Sequence, residues 1–242
     1  MFPSFRVGSV LGFPIRLGVS FLFLLGAVLL FTGGGVLPMA LLFGSVLVHE
    51  LGHAVVARRL GVRIASIDLH FFGGAARMVD MPRSARDEVA IAAAGPAVSL
   101  AIAGAASALG LLLGVPLLVE LGVINLVLGA FNLLPVFPSD GGRILRALLA
   151  PRRGLVAATD VAVKVGRVAC LALGVLGLVT GHLQLALVAA VLWSMGAAEQ
   201  RALRLRGGFD PWRRSAPAAV TDAEYLPPPR LPRPPRVVVY RY

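Results

Sequence analysis

Residues 36–59 read VLPMALLFGSVLVHELGHAVVARR, an apolar run whose second half carries His49, Glu50 and His53. Ionisable side chains are rare inside membrane-spanning segments, where an unpaired one costs on the order of 2.5–3.5 kcal/mol. Two histidines four residues apart lie on one face of a helix and can bind a metal ion, and the glutamate between them can act on a metal-bound water. The run therefore predicts a metal site within a membrane helix.

The composition indicates a polytopic membrane protein. Of the 242 residues, 57% are hydrophobic and 14% are charged, and the mean hydropathy is +0.84. Soluble domains carry a much larger charged share. Apolar spans of about the 20 residues that cross a bilayer are predicted at about residues 17–33, 37–57, 88–113, 116–135, 158–180 and 183–200. We therefore predict an all-α polytopic membrane protein with about six transmembrane helices.

The formal net charge of +11 indicates membrane orientation and not nucleic-acid binding, because the 23 basic residues fall on one side of the predicted spans. The connections after the first, third and fifth spans contain no lysine or arginine. An excess of basic residues marks the cytoplasmic side of a membrane protein. Both termini are therefore predicted to be cytoplasmic. The two histidines, which precede Arg58 and Arg59, are predicted to lie in the bilayer nearer its cytoplasmic face.

Three stretches depart from the helical pattern. Residues 1–16 combine phenylalanines with Arg6 and Arg16, as in an interfacial anchor. Residues 64–78 alternate polar and apolar side chains, which favours a short membrane-associated β hairpin; its edge either pairs with an extended peptide or is buried against helices. Residues 206–242 are rich in proline and arginine and predict an extended cytoplasmic tail. We therefore predict a membrane domain over residues 1–205, with its core at 40–150, followed by the tail.

A further metal ligand is expected at membrane depth, because catalytic zinc takes three protein ligands and keeps one position for water. Asp140 is the leading candidate, since Pro135 and Pro138 must break the fourth span before it and leave backbone groups that need an enclosed, hydrated setting. A helix N-cap is the alternative role for Asp140. Asn125 and Asn132 lie two helical turns apart, where either amide can donate to a developing oxyanion or join two helices.

Two motifs together resemble those of the site-2 protease family of intramembrane zinc metalloproteases. The stretch HELGH at 49–53 fits the family pattern HExxH, and NLLPVFPSDG at 132–141 fits NxxPxxPxDG. Residues 72–78 and 93–96 resemble the family's β segment and its helix-opening small-residue motif. No PDZ-like insertion separates the two motifs, so the chain is similar to the compact branch that includes the sporulation-factor proteases.

The resemblance implies one zinc ion per chain, held by His49, His53 and Asp140. It also implies that Glu50 is the general base and acid and that Asn132 assists the oxyanion or positions the substrate. The implied reaction is hydrolysis of peptide bonds within or near the transmembrane segment of a membrane-protein substrate, such as an anti-sigma factor or a membrane-tethered transcription factor. The alternative is a metal or ion transporter whose path is lined by histidine and aspartate, but it leaves the glutamate between the histidines unexplained.

Overall fold

Helices dominate the computed structural model, which describes residues 4–19, 36–70 and 73–205. The helices are α1 (Val36–Arg59), α2 (Ala85–Leu113), α3 (Pro116–Asn132), α4 (Asp140–Arg153), α5 (Leu155–Val179) and α6 (Leu183–Leu205). Helix α2 packs against α1, α3 and α4, and α5 packs against α4 and α6. Most of the first predicted span and the whole predicted tail lie outside the described residues.

Four of these helices, α1, α2, α5 and α6, are long and apolar enough to cross a membrane. Helix α3 is also apolar but has 17 residues, because it ends at Asn132 and not at the predicted residue 135. These five helices follow the predicted second to sixth spans in order. The protein is therefore a multi-pass membrane protein, and the total of six spans stays a prediction.

The described part of the fold is not all-α, because it also contains a four-stranded sheet. The strands are β1 (Ser4–Val10), β2 (Phe13–Gly18), β3 (Ile64–His70) and β4 (Gly73–Met78). Their order is β1-β2-β3-β4, with β2 parallel to β3 and the other neighbouring strands antiparallel. Strands β3 and β4 occupy the region for which a hairpin was predicted, and β4 forms one edge of the sheet.

Most of the amino-terminal stretch for which an interfacial anchor was predicted forms the hairpin β1–β2; whether it lies at the interface stays a prediction. Its turn is made by Leu11 and Gly12, whose φ angles are 52° and 82°. Positive φ at both central residues matches the twist of antiparallel strands in two-residue turns. Phe13 begins β2 and is buried with Ile67 of β3 and Ala54 of α1. The sheet therefore packs against the part of α1 that carries the histidines.

The segment between α3 and α4 is irregular, as its two prolines require, and only Val136, Phe137 and Ser139 within it are buried. The Ser139 hydroxyl lies 2.6 Å from the Leu134 carbonyl oxygen and bonds also with that of Val136. Phe137 is buried against Ala162 of α5. The segment thus stays within the helix bundle and starts α4, a short helix that was not among the predicted spans.

Candidate metal centre

Helix α1 presents His49 and His53 on one face, one turn apart. Each residue is 3% exposed, and the two Nε2 atoms lie 3.2 Å from each other. The i and i+4 spacing places neighbouring side chains along the helix surface, as predicted from the sequence. The pair therefore offers two imidazole nitrogens to a single point inside the protein.

Asp140 adds a carboxylate oxygen to this pair. Its Oδ2 lies 3.2 Å from His49 Nε2 and 3.1 Å from His53 Nε2, and the residue is 6% exposed. Asp140 is the first residue of α4, and Ser139 takes the N-cap position that the alternative interpretation gave to Asp140. The break between α3 and α4 thus brings together two groups that are 91 residues apart in the chain.

The three donor atoms fit one zinc ion. Zinc binds nitrogen and carboxylate oxygen at about 2.0–2.2 Å, so two ligands of a tetrahedral ion lie about 3.3 Å apart. The three separations of 3.1–3.2 Å are close to this value. Two histidines and one aspartate also form the three-ligand set that leaves a position open for water. The donor set therefore fits a catalytic zinc site, which has three protein ligands, better than a structural site, which has four.

Hydrogen bonds on the far side of each imidazole fix its orientation. His49 Nδ1 is hydrogen-bonded to Ser99 Oγ at 2.9 Å, and His53 Nδ1 donates to the Ile91 carbonyl oxygen at 2.6 Å. Both partners lie on α2, and Ser99 is fully buried. With Nδ1 protonated, each Nε2 keeps its lone pair for a metal, as second-shell partners of zinc-binding histidines usually ensure. Sequence reasoning missed Ser99, because a buried serine in an apolar helix gives no local signal.

Glycines at two positions allow other elements to approach the site closely. A Cβ on Gly95 of α2 would overlap His53 Nε2 and lie 2.6 Å from His49 Nε2. A Cβ on Gly74 of β4 would overlap Glu50 Cγ. Gly95 belongs to the small-residue motif at 93–96, which lies within α2 and does not open it as expected. Only glycine leaves room for the site at these two positions.

Glu50 lies beside the three donor atoms, and its carboxylate is close enough to both histidines to be a further candidate ligand. It is 9% exposed, and one of its carboxylate oxygens lies within 4.8 Å of a ring nitrogen of each histidine. As the residue after His49, it projects about 100° around the helix from that histidine, toward β4. This position is suited to a proton acceptor next to a metal-bound water.

The two asparagines take different positions. Asn132 is half-buried at the end of α3, and its amide donates to the Leu128 carbonyl oxygen at 3.0 Å. Asn125 is fully buried and donates to Ser45 Oγ at 2.8 Å, which joins α3 to α1 one turn before His49. Asn125 thus has the helix-joining role that was one of its two alternatives. The described contacts of Asn132 do not include a ligand atom of the site.

Removal of the Ser99 hydroxyl is expected to weaken zinc binding while leaving the ligands in place. Loss of such an outer partner usually lowers metal affinity about 10–100-fold, and Ser99→Ala should therefore raise the zinc dissociation constant by this factor. Chelator competition on the purified protein measures it. Ser194→Ala is the control, because that exposed hydroxyl donates to the Val191 carbonyl oxygen of its own helix. Equal affinity in Ser99→Ala and in the unchanged protein would contradict the assigned role.

The geometry above defines a class of site: two histidines and an aspartate, with a glutamate beside them, built on helices of a multi-pass membrane protein. The chain belongs to Peptidase family M50, whose family model matches residues 38–118 and 115–173. The matched region contains both motifs found in the sequence. The family match also agrees with the resemblance of the two motifs to those of site-2 proteases.

Individual proteins agree with this assignment. A zinc metalloprotease from Methanocaldococcus jannaschii is 37% identical over 226 residues, which cover 85% of this chain and 63% of that protein. Rip3 from Mycobacterium tuberculosis is 42% identical over 180 residues, which cover 71% of this chain and 42% of that protein. The solved structure of a site-2 protease from Methanocaldococcus jannaschii has a TM-score of 0.64 and 35% identity, covering 82% of this chain and 96% of that one. The chain thus spans less than two thirds of the length of both relatives.

Proposed function

We propose that the protein is an intramembrane zinc endopeptidase that hydrolyses peptide bonds within or near the transmembrane segment of a membrane protein. The observation that carries the proposal is the triangle of His49 Nε2, His53 Nε2 and Asp140 Oδ2, with sides of 3.1–3.2 Å. Glu50 beside this triangle favours hydrolysis over metal transport, because a glutamate directly after the first of two histidines at i and i+4 is the arrangement in which it serves as general base of a zinc hydrolase.

In the proposed mechanism, His49, His53 and Asp140 hold zinc, which when bound polarises a peptide carbonyl and lowers the pKa of water. Glu50 accepts the proton of the attacking water and then donates it to the amine that leaves. The buried surroundings of Glu50 strengthen its electrostatic interactions with the site.

Asn132 is proposed to position the substrate or to stabilise the oxyanion. One amide N–H is used by the Leu128 carbonyl, and an asparagine side chain has a second N–H to donate. Asn132 ends α3 at the start of the segment that leads to Asp140. This position supports the proposal that the second N–H of Asn132 donates a hydrogen bond to the substrate.

The substrate is proposed to bind as an extended strand along the edge of β4. A transmembrane helix hides its carbonyls in hydrogen bonds, so it must unwind before hydrolysis. An exposed sheet edge holds an extended peptide through main-chain hydrogen bonds. Gly74 of β4 is in close contact with Glu50, so a strand added at this edge would pass beside the proposed general base.

The orientation and the natural substrate also belong to the proposal. The basic residues place both termini and the tail at 206–242 in the cytoplasm, with the site nearer that side of the bilayer. The substrate class that the family resemblance supports is a single-span regulator, such as an anti-sigma factor or a membrane-tethered transcription factor.

Asp140→Ala tests the proposed zinc site directly. Losing an outer partner of a ligand lowers metal affinity about 10–100-fold, so loss of a ligand itself is expected to cost more than 100-fold and to abolish cleavage. Metal analysis of the purified protein and cleavage of single-span membrane proteins in vesicles measure both effects. Asp80→Ala is the control. The Asp80 carboxylate lies outside the site, and its Oδ2 is paired with Arg63 Nε at a distance of 2.7 Å. An Asp140→Ala protein that keeps zinc and cleaves normally would disprove the proposal.

A further inference from the structure

Arg146 of α4 joins three other parts of the protein. Its Nη2 lies 2.5 Å from Glu88 Oε1 on α2, and its Nη1 lies 2.9 Å from Glu199 Oε1 on α6. Its guanidinium carbon lies 5.3 Å above the ring centroid of Phe137. Phe137 belongs to the segment that leads to Asp140. One planar cation therefore holds α2, α6 and this segment against α4, a task for which the guanidinium fork is suited.

Glu88 is the buried partner in this cluster. It lies in the first turn of α2, and its side chain is 4% exposed. Its Oε1 also lies 3.9 Å from Nε of Arg143, whereas its Oε2 is buried with no hydrogen-bond partner among the described residues. Exposed ion pairs contribute little to stability, but breaking a buried one leaves a charge without compensation. The position of α4 relative to α2 therefore depends on this carboxylate.

The cluster extends to the metal centre through Arg143. Its Nη1 lies 3.7 Å from Asp140 Oδ1, one helical turn away. The two oxygens of Asp140 are thus divided: Oδ2 faces the histidines, and Oδ1 faces the arginine. Rotation of the carboxylate would exchange these two contacts. The arginine, itself next to Glu88, favours the orientation in which Oδ2 points at the histidines.

We propose that Glu88 and Arg146 are positioning residues for Asp140. They fix α4 and the preceding segment against α2, the helix whose Ser99 and Ile91 orient the two histidines. The positions of all three donor atoms, which come from α1 and α4, are then fixed by contacts with α2. The inference rests on the proposed role of Asp140 as a zinc ligand.

The test compares Glu88→Gln and Arg146→Lys in the full chain, reconstituted in vesicles. Both substitutions keep the approximate size, but the first removes the charge and the second removes the planar fork. We expect zinc affinity to fall about 10–100-fold, as for other outer partners of metal ligands, and kcat to fall at saturating zinc with KM unchanged. Chelator competition and initial rates on one membrane substrate measure these effects. Asp160→Asn is the control, since it breaks an exposed ion pair to Arg204 between α5 and α6.

The readouts separate positioning from a merely structural role. If the cluster only stabilises the fold, the variants lose folded yield, but the folded molecules keep the zinc affinity and kcat of the unchanged protein, and the inference is overturned. An equal loss in Asp160→Asn also overturns it. Arg146→Lys keeps a cation beside both carboxylates, so it gives folded protein even if Glu88→Gln lowers the yield. Failure of the proposed function gives a different result from failure of this inference. In that case the unchanged protein binds no zinc, or Asp140→Ala still binds zinc.

Discussion

Glu50→Gln is expected to leave zinc bound and to reduce turnover about 10²–10⁴-fold, the range that a general acid–base group contributes. The amide has the size of the carboxylate, so the close approach of Gly74 to this side chain is preserved. It cannot accept the proton of water, however, and the three proposed ligands are unchanged. In this variant the cleavage rate is therefore expected to fall while the metal content stays the same, whereas both are expected to fall in Asp140→Ala.

The experiment needs a natural substrate, which the same variant can supply. Membrane proteins that stay intact in cells with Glu50→Gln and are cut in cells with the unchanged protein are the candidates, and mapping their new termini gives the cleavage sites. Glu120→Gln is the control, because Glu120 is an exposed acid on α3. Full cleavage by Glu50→Gln would refute the proposed mechanism. Loss of zinc from it would make Glu50 a ligand and not a base.

The spacing of the histidines and the helix break before Asp140 follow from local rules, whereas the expectation that the two halves of the site meet comes from the need for a third ligand and from the family resemblance. His49 and His53 share a helix face by their spacing. Pro135 and Pro138 must interrupt a helix, and an aspartate placed after such a break needs an enclosed polar setting. The structure brings these two halves within 3.2 Å. What each residue does in catalysis stays a prediction.

Tertiary contacts account for what the sequence could not predict. Strand β2 pairs in parallel with β3, about 50 residues further along the chain, so no local alternation reveals that residues 4–18 belong to a sheet. Helix α4 is short and rich in arginine; Arg143 and Arg146 are half-buried beside Glu88, whereas the two arginines at its end are exposed. Glu88 is the first residue of the third predicted span, and its burial depends on the packing of α4 against α2.

Gly95→Ala is expected to abolish zinc binding, although it adds only one methyl group. The new Cβ would overlap His53 Nε2 and lie 2.6 Å from His49 Nε2, which are two of the three proposed ligand atoms. Helix α2 cannot easily move away from α1, because it also packs against α3 and α4. Alanine is also the better helix former by about 1 kcal/mol. A loss of function therefore reports the contact with the site and not a weaker helix.

Gly104→Ala is the matched control, because it makes the same change in the same helix where no other atom lies within 4 Å of the new Cβ. We expect it to bind one zinc ion and to cleave normally, while Gly95→Ala retains almost no zinc. Metal analysis after purification, with circular dichroism to verify helix content, measures the difference. If Gly95→Ala kept zinc with unchanged affinity, the histidines would have to bind metal away from α2. The inference that α2 fixes the positions of all three donor atoms would then be wrong.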